Sequence, residues 1–233
     1  MSGDVHERIR HALIMAAGRG QRMMPLTETL PKPMAPFAGS TLIARGIETI
    51  RRHVPSVHVT VGYKAAMLAQ HVIEHGAASV HNTDGQTNAW WIFHTLLAHL
   101  DEPIYVMTCD NVVDLDFDLL ERNYRSSGSP PCMLIPVEPI AGLDGDYIFH
   151  ERDVVTAVDR HRPSASYASG IQILNPRSVN LATRGAPDIY DFYDVWRQLI
   201  AQRLLFVSSV YPKQWISIDT VAQLEAAEPP GTR

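Results

Sequence analysis

The chain is short of cysteine, of unbroken apolar runs and of net positive charge, and each shortage closes off a class of function. Two cysteines in 233 residues, Cys109 and Cys132, show neither metal-cluster spacing nor a disulfide framework, which fits a reducing compartment and a cytoplasmic protein. No stretch approaches the roughly 20 apolar residues of a membrane-spanning helix. The apolar run at residues 12–17 is short and is followed at once by Arg19, so it does not read as a secretory leader. The formal net charge is −5; no overall basic field recruits nucleic acid. There is no internal repeat. A length of 233 residues with 45% hydrophobic content suits one sizeable α/β domain.

Two familiar phosphate loops are also missing. No Gly-x4-Gly-Lys-Ser/Thr string occurs, and the pair Gly18 and Gly20 is followed by Met23 where a dinucleotide fingerprint wants a third glycine. What stands there instead is distinctive. Residues 16–34 read A-A-G-R-G-Q-R-M-M-P-L-T-E-T-L-P-K-P-M, directly after an apolar run at residues 11–15 that reads as a buried strand. Glycine lets the backbone turn tightly and approach a ligand, and successive exposed amides in such a turn make an anion site. Arg19, Arg22 and Lys32 stand against Glu28 alone, a local charge of about +2. Pro25, Pro31, Pro33 and Pro36 stiffen the segment. A rigid basic loop after a first strand suits a polyphosphate.

Organisation along the chain supports a parallel sheet. The first ten residues are polar and expected to be loose. Ser40 is placed to cap a helix carrying Leu42, Ile43, Ile47, Ile50 and Val54 at three- and four-residue spacing. Residues 57–61 alternate as a strand; a helix over 64–75 and a strand over 78–81 follow. A polar loop at 82–87 leads to a helix over 88–100 and a buried strand over 104–108, which ends at Asp110. Asp116 or Asp118 caps the next helix. In the second half, strands are expected over 133–137, 147–150, 154–158 and 167–174, then a helix over 188–203, strands over 204–210 and 215–218, and a helix from Thr220 that stops at Pro229 and Pro230. Strand–helix alternation argues for a doubly wound, mostly parallel sheet with helices on both faces in three layers. Ligands bind such sheets outside the carboxyl ends of the strands. That rule puts residues 18–32, 82–88 and Asp110 on one rim.

The string G-x-G-x-R-M-x-P-L-T-x-x-x-P-K-P-M resembles the signature of the nucleotidyltransferases that make NDP-sugars and related activated alcohols. The resemblance spans roughly residues 11–228. It implies a Rossmann-like, glycosyltransferase-A-like fold in one domain, with a nucleotide-binding half over 11–130 and an acceptor-binding half over 131–228. It implies transfer of a nucleotidyl group from an NTP to a sugar 1-phosphate, releasing pyrophosphate, with Mg²⁺. Ala17, Gly18, Gly20 and Arg22 would receive the nucleotide; Arg22, Lys32 and Asp110 would be catalytic. A Cys-Asp pair at this strand end, as at Cys109-Asp110, resembles the family's metal-binding signature, and Trp215 to Thr220 resembles its carboxyl-terminal Trp-x-Asp segment, which makes Asp219 the second metal carboxylate. Gln86 and Asn88 would read the base, with a pyrimidine expected. Gly145-Asp146-Tyr147 and residues 167–171 resemble segments of short N-acetylmuramate 1-phosphate uridylyltransferases, so Asp146, Ser169 and Arg162 would serve the acceptor. Asn88-Ala89-Trp90-Trp91 is closer to cytidylyltransferases for choline phosphate, an alternative. A catalytically idle nucleotide-binding regulator is the alternative from another class. No nucleic acid or membrane partner is implied. His71 to His75 also matches the H-x-x-E-H zinc-protease pattern, which chance explains better on an ordinary apolar helix.

Overall fold

The computed structural model describes residues 8–140, 145–185, 189 and 191–228. Most of the polar start, the opening of the helix expected from residue 188 and the stop at Pro229 and Pro230 lie outside the described residues.

The chain opens with strand β1 (His11–Met15), as its apolar run predicts. The proline-rich loop folds as short pieces: a 3₁₀ turn Gln21–Met23, helix α1 (Leu26–Thr29), a 3₁₀ turn Lys32–Met34 and a small ladder of β2 (Pro36–Phe37) with β3 (Ser40–Thr41). Helix α2 (Leu42–Ile50) is capped by Thr41, which accepts the Ala44 amide at 3.2 Å. Ser40, the expected cap, instead pairs with Phe37 in the ladder. Then follow β4 (Ser56–Val61), α3 (Ala65–Glu74) and β5 (Ser79–Asn82).

The helix expected over 88–100 is broken in two, α4 (Trp91–His94) and a 3₁₀ turn Leu96–His99. Thr95 causes the break. Its hydroxyl donates to the Trp91 carbonyl at 2.8 Å and accepts from the Leu97 amide at 3.2 Å, competing with the helix ladder. Trp91 is buried in the core, whereas Trp90 remains half-buried at the surface.

Strand β6 (Ile104–Thr108) is followed by a strand that periodicity does not reveal, β7 (Asn111–Asp114). Helix α5 (Phe117–Ser126) takes its cap from Asp116. The second half adds β8 (Cys132–Val137), β9 (Tyr147–Glu151), β10 (Val154–Asp159), β11 (Tyr167–Leu174), α6 (Pro176–Ala182), α7 (Phe192–Ala201), β12 (Leu205–Val207), β13 (Gln214–Ser217) and α8 (Val221–Ala227). Helix α6, started by Pro176 and the Asn175 cap, is absent from the sequence reading.

Nine strands form one sheet in the order β5-β4-β1-β6-β11-β8-β12-β10-β9. The pairings make only β11 and β10 run against the other seven. The sheet is therefore mixed and mostly parallel. Its two faces bury separate clusters: Ala12 and Ile14 of β1 point to one with α2, α3 and α5, and Leu13 to the other with α4 and α7. This alternation is what a sheet covered on both faces requires.

A third, small core positions the site. Met23, Ala35, Phe37 and Leu42 from the loop region pack with Ile218 and Leu224 from the end of the chain. Met23 and Ile218 are fully buried. Beneath them β13 pairs antiparallel with β7, Ser217 opposite Asn111. Replacing Ile218 by alanine should cost about 2–5 kcal/mol, the range for a buried isoleucine truncated in a core. Urea denaturation checks this; an unchanged midpoint would show that the small core does not hold the carboxyl-terminal segment.

Candidate active site

The tips of β1 and β6 lie side by side, because Met15 pairs with Thr108 and the Cys109 amide donates to the Met15 carbonyl at 3.1 Å. Asp110 therefore projects from rigid backbone beside the loop. Asp219 reaches the same place from the far end of the chain. It follows β13, and the Ile218 amide donates to the Asp110 carbonyl at 2.9 Å. Asp219 does not cap the last helix. That cap is Thr220, in a reciprocal box with Gln223, which leaves the Asp219 carboxylate free to face the loop.

Between the two carboxylates sits Lys32. Its ammonium donates to Asp110 Oδ2 at 2.6 Å and to Asp219 Oδ1 at 2.8 Å. Arg22 Nη2 lies 2.8 Å from the same Asp219 oxygen. Lys32 is only 8% exposed, so its charge is affordable only with such partners. Burial alone would lower its pKa; Asp110 and Asp219 together outweigh that and hold it above the ordinary lysine value. Burial alone would raise the Asp219 pKa; the Lys32 hydrogen bond and charge, then Arg22, hold it below the ordinary carboxylate range. Two cations and two carboxylates cancel, so the positive charge read from the loop alone is neutralised in the folded cleft. Arg19, stacked over the Tyr63 ring at 5.3 Å, remains at its edge.

Gly20 makes the arrangement sterically possible. Its φ is +66°, and a Cβ there would stand 2.5 Å from Lys32 Cβ. Gly18 needs no such freedom; it faces open space at the cleft. The Ala17 carbonyl accepts the Tyr63 amide at 3.0 Å, and the Tyr63 hydroxyl donates to the Thr27 carbonyl at 3.0 Å. The result is a cleft of roughly 500 Å³ lined by Gly18, Arg19, Gly20, Arg22, Lys32, Asp110 and Asp219, among others.

The other expected residues fall elsewhere. Asn88 accepts the Phe192 amide at 3.1 Å through its side-chain oxygen, tying the loop to α7. Gln86 lines a different cavity. Asp146 accepts from Arg160 Nε at 2.8 Å and from the Tyr193 hydroxyl at 2.6 Å. Arg162 is exposed and lies over the Phe149 ring at 3.8 Å. Ser169, expected to serve the acceptor, is turned inward. Its residue is 1% exposed, and its hydroxyl donates to the Ile135 carbonyl at 2.7 Å and accepts the Ile171 amide at 3.1 Å. It sits in a strand irregularity between Ala168 and Gln172. The Ser169 carbonyl is the useful atom: Asn111 Nδ2 and Trp215 Nε1 both donate to it, at 2.8 and 3.0 Å. Those two residues, with Tyr193, are what sequence reasoning missed. Trp215 was visible only as part of a motif and Asn111 only as the neighbour of Asp110. On the H-x-x-E-H helix, His71 Nε2 shares a hydrogen bond with Thr41 Oγ1 at 2.8 Å, and no group of three or more metal-ligating side chains occurs among the described residues.

A family model described as the MobA-like NTP transferase domain matches residues 12–172. The chain belongs to this family. Among curated relatives of the chain, a mannose-1-phosphate guanyltransferase of Debaryomyces hansenii is 27% identical over 184 residues, covering 72% of this chain and 51% of that protein. The bifunctional protein GlmU of Methanococcus maripaludis is 47% identical over 53 residues, 23% of this chain and 13% of that protein. The chain thus spans about half the length of the first of these and less of the second. The inositol-1-phosphate CTP transferase from T. maritima superposes with a TM-score of 0.73 at 16% identity, covering 93% of this chain and 91% of that one. A putative glucose-1-phosphate thymidylyltransferase from Bacillus anthracis gives 0.77 at 13% identity, with 94% and 93% covered. These likenesses show the nucleotidyltransferase fold, of the glycosyltransferase-A-like kind. No helix among the described residues is long and apolar enough to cross a membrane.

The ion network sets a pH dependence of stability. A depressed carboxyl contributes fully above its unfolded value, about 3.9, and the contribution is lost as pH falls through the folded value. A raised ammonium contributes fully below about 10.4 and loses its contribution as pH rises through the folded value. Asp219→Asn should therefore be less stable than the natural chain by a steady margin from about pH 5 to 9, and the margin should close below about pH 4. Denaturant melts across that range check it; a margin that changes between pH 5 and 7 would point to other groups.

Proposed function

We propose that the chain condenses an NTP with a sugar 1-phosphate, giving an NDP-sugar and pyrophosphate, with Mg²⁺ as the cofactor. The observation that carries the reading is the buried Lys32 ammonium held between Asp110 and Asp219 in the loop cleft. In this reaction an oxygen of the acceptor phosphate attacks the α-phosphorus, and the bond from that phosphorus to the bridging oxygen breaks. Pyrophosphate leaves with the electron pair. Two anions must be brought together, so positioning and charge stabilisation supply the catalysis.

The residues divide that work. Lys32, fixed at both oxygens, presents a compact charge where the two phosphates meet. Arg22, exposed at the cleft mouth, has the planar fork suited to the leaving pyrophosphate. Gly18 and Gly20 keep the loop close and open. The cleft's own charges cancel, so a triphosphate needs further positive charge. Mg²⁺ takes hard oxygen ligands and keeps several waters or phosphate oxygens. Asp110 and Asp219 offer such oxygens and too few of them to fill its shell, so the donor set fits. When bound, the ion would neutralise phosphate charge and steady the α-phosphate. On the acceptor side, Asp146, oriented by Tyr193 and Arg160, would hold a sugar hydroxyl, with Arg162 near it in sequence.

The relatives and structural neighbours are named for guanyl, cytidyl, thymidylyl and uridyl nucleotides. With a purine donor among them they do not restrict the base to a pyrimidine, and the side-chain oxygen of Asn88, expected to read a base, is bonded to Phe192. No base is therefore assigned to the donor. Pyrophosphate release measured across four NTPs and a panel of sugar and alcohol phosphates tests the proposal; no turnover with any pair would sink it.

Within an active pair, Asp110→Asn should lower turnover by about 10²–10³ with the fold intact, the scale of losing one transition-state electrostatic contact. Wild-type rates with Mg²⁺ would remove Asp110 from the mechanism. Arg22→Ala should chiefly raise KM for the NTP, and Arg22→Lys should not restore it. Lys32→Ala should depress use of both substrates. Unchanged kinetics in both alanine variants would show that the loop does not bind phosphate.

A further inference from the structure

One cavity lined by described residues is larger than the phosphate cleft. A cavity of roughly 960 Å³ opens where the loop after β5, α4, the 3₁₀ turn Leu96–His99 and α6 meet, against roughly 500 Å³ for the cleft. The described linings of the two share no residue. Nothing in the mechanism above uses the larger one.

Its chemistry is one-sided. The guanidinium side chains Arg177 and Arg184 and the imidazoles of His94 and His99 contribute to the wall, and no carboxylate occurs among the described lining residues. Arg177 is held by Asp101 at 3.2 Å, both exposed. Arg184 has no ionic partner among the described residues. Trp90 also lines the cavity, and its ring is held in place by stacking on His94 with centroids 4.6 Å apart and planes at 9°. The walls are braced, since Asn180 Nδ2 donates to the Ile92 carbonyl at 2.7 Å and joins α6 to α4.

These features select a ligand class. Arginine forks match phosphate oxygens, and a braced tryptophan face matches a planar heteroaromatic ring. An inorganic phosphate has no ring for Trp90. A sugar phosphate has no π-face. We infer that this cavity is a second nucleotide site, which binds a nucleoside phosphate with its base against Trp90 and its phosphates at Arg177 and Arg184. The site lies apart from Lys32, Asp110 and Asp219. Gln86 and Thr87 belong to its lining, and the next residue, Asn88, is bonded to the start of α7. An occupant therefore touches the loop that joins the nucleotide-binding half to α7.

Equilibrium dialysis of the full chain with GTP and with UTP, in the presence of Mg²⁺, counts the sites directly. The natural chain should bind two molecules per chain of at least one of them. The double variant Arg177→Ala/Arg184→Ala should bind one, the affinity at the lost site falling at least about tenfold. Both arginines are exposed, and a thermal melt confirms that the variant folds. Trp90→Leu should lose the same site. Lys32→Met should keep it, and adding the arginine replacements to Lys32→Met should remove it. Equal numbers bound by the natural chain and the arginine variant would overturn the assignment.

Discussion

The constraint on which the rest depends is the charge of Lys32. An ammonium that is only 8% exposed is tolerable only with oppositely charged partners in contact. The partners come from sequence separations of 78 and 187 residues. Holding one cation therefore obliges the chain to bring its first loop, its fourth sheet strand and its last segment to one point. A buried ion pair of this kind is a weak source of net stability. Its consequence is placement: two carboxylates and two cations stand within hydrogen-bonding reach, poised for anions.

The surrounding fold serves that placement. The β7–β13 ladder carries Asp219 to Asp110, and the Ile218 amide on the Asp110 carbonyl fixes their separation. On one side the ladder is clamped by the core of Met23, Phe37, Ile218 and Leu224. On the other, Asn111 and Trp215 reach the Ser169 carbonyl, beside Gly170 with its φ of +80°. Gly170 sits 3.1 Å, measured from a notional Cβ, from Asn111 Nδ2, so a side chain there would crowd the hydrogen bond. The cleft floor is thus made by contacts that the reacting groups never touch.

Much of this was legible in the sequence, for local reasons. Strands β1 and β6 follow from their apolar runs, and the loop's chemical character follows from glycines and cations after a strand. Asp110 was found because the rim rule applies to any parallel sheet. Non-local effects account for the rest. Strand β7 is four residues long and exists only because β13 pairs with it about 100 residues later, so no window on Asn111–Asp114 reveals it. Thr95 broke a periodic helix with its own hydroxyl. Ser169 resembled a ligand residue in sequence, yet its side chain turns into the core. Tyr193 met Asp146 across a gap of 47 residues, a pairing that carries no sequence period.

The network around Lys32 is tested most directly by a double-mutant cycle on folding stability. Lys32→Met leaves Asp110 and Asp219 facing each other with only Arg22 to balance Asp219 and should destabilise strongly. Asp219→Asn alone leaves Lys32 with Asp110 and should cost less. The double variant, with the repelling pair relieved, should recover part of the loss, a coupling of about 1–3 kcal/mol. Strict additivity of the two changes would contradict the claim that Lys32 and Asp219 act as one unit.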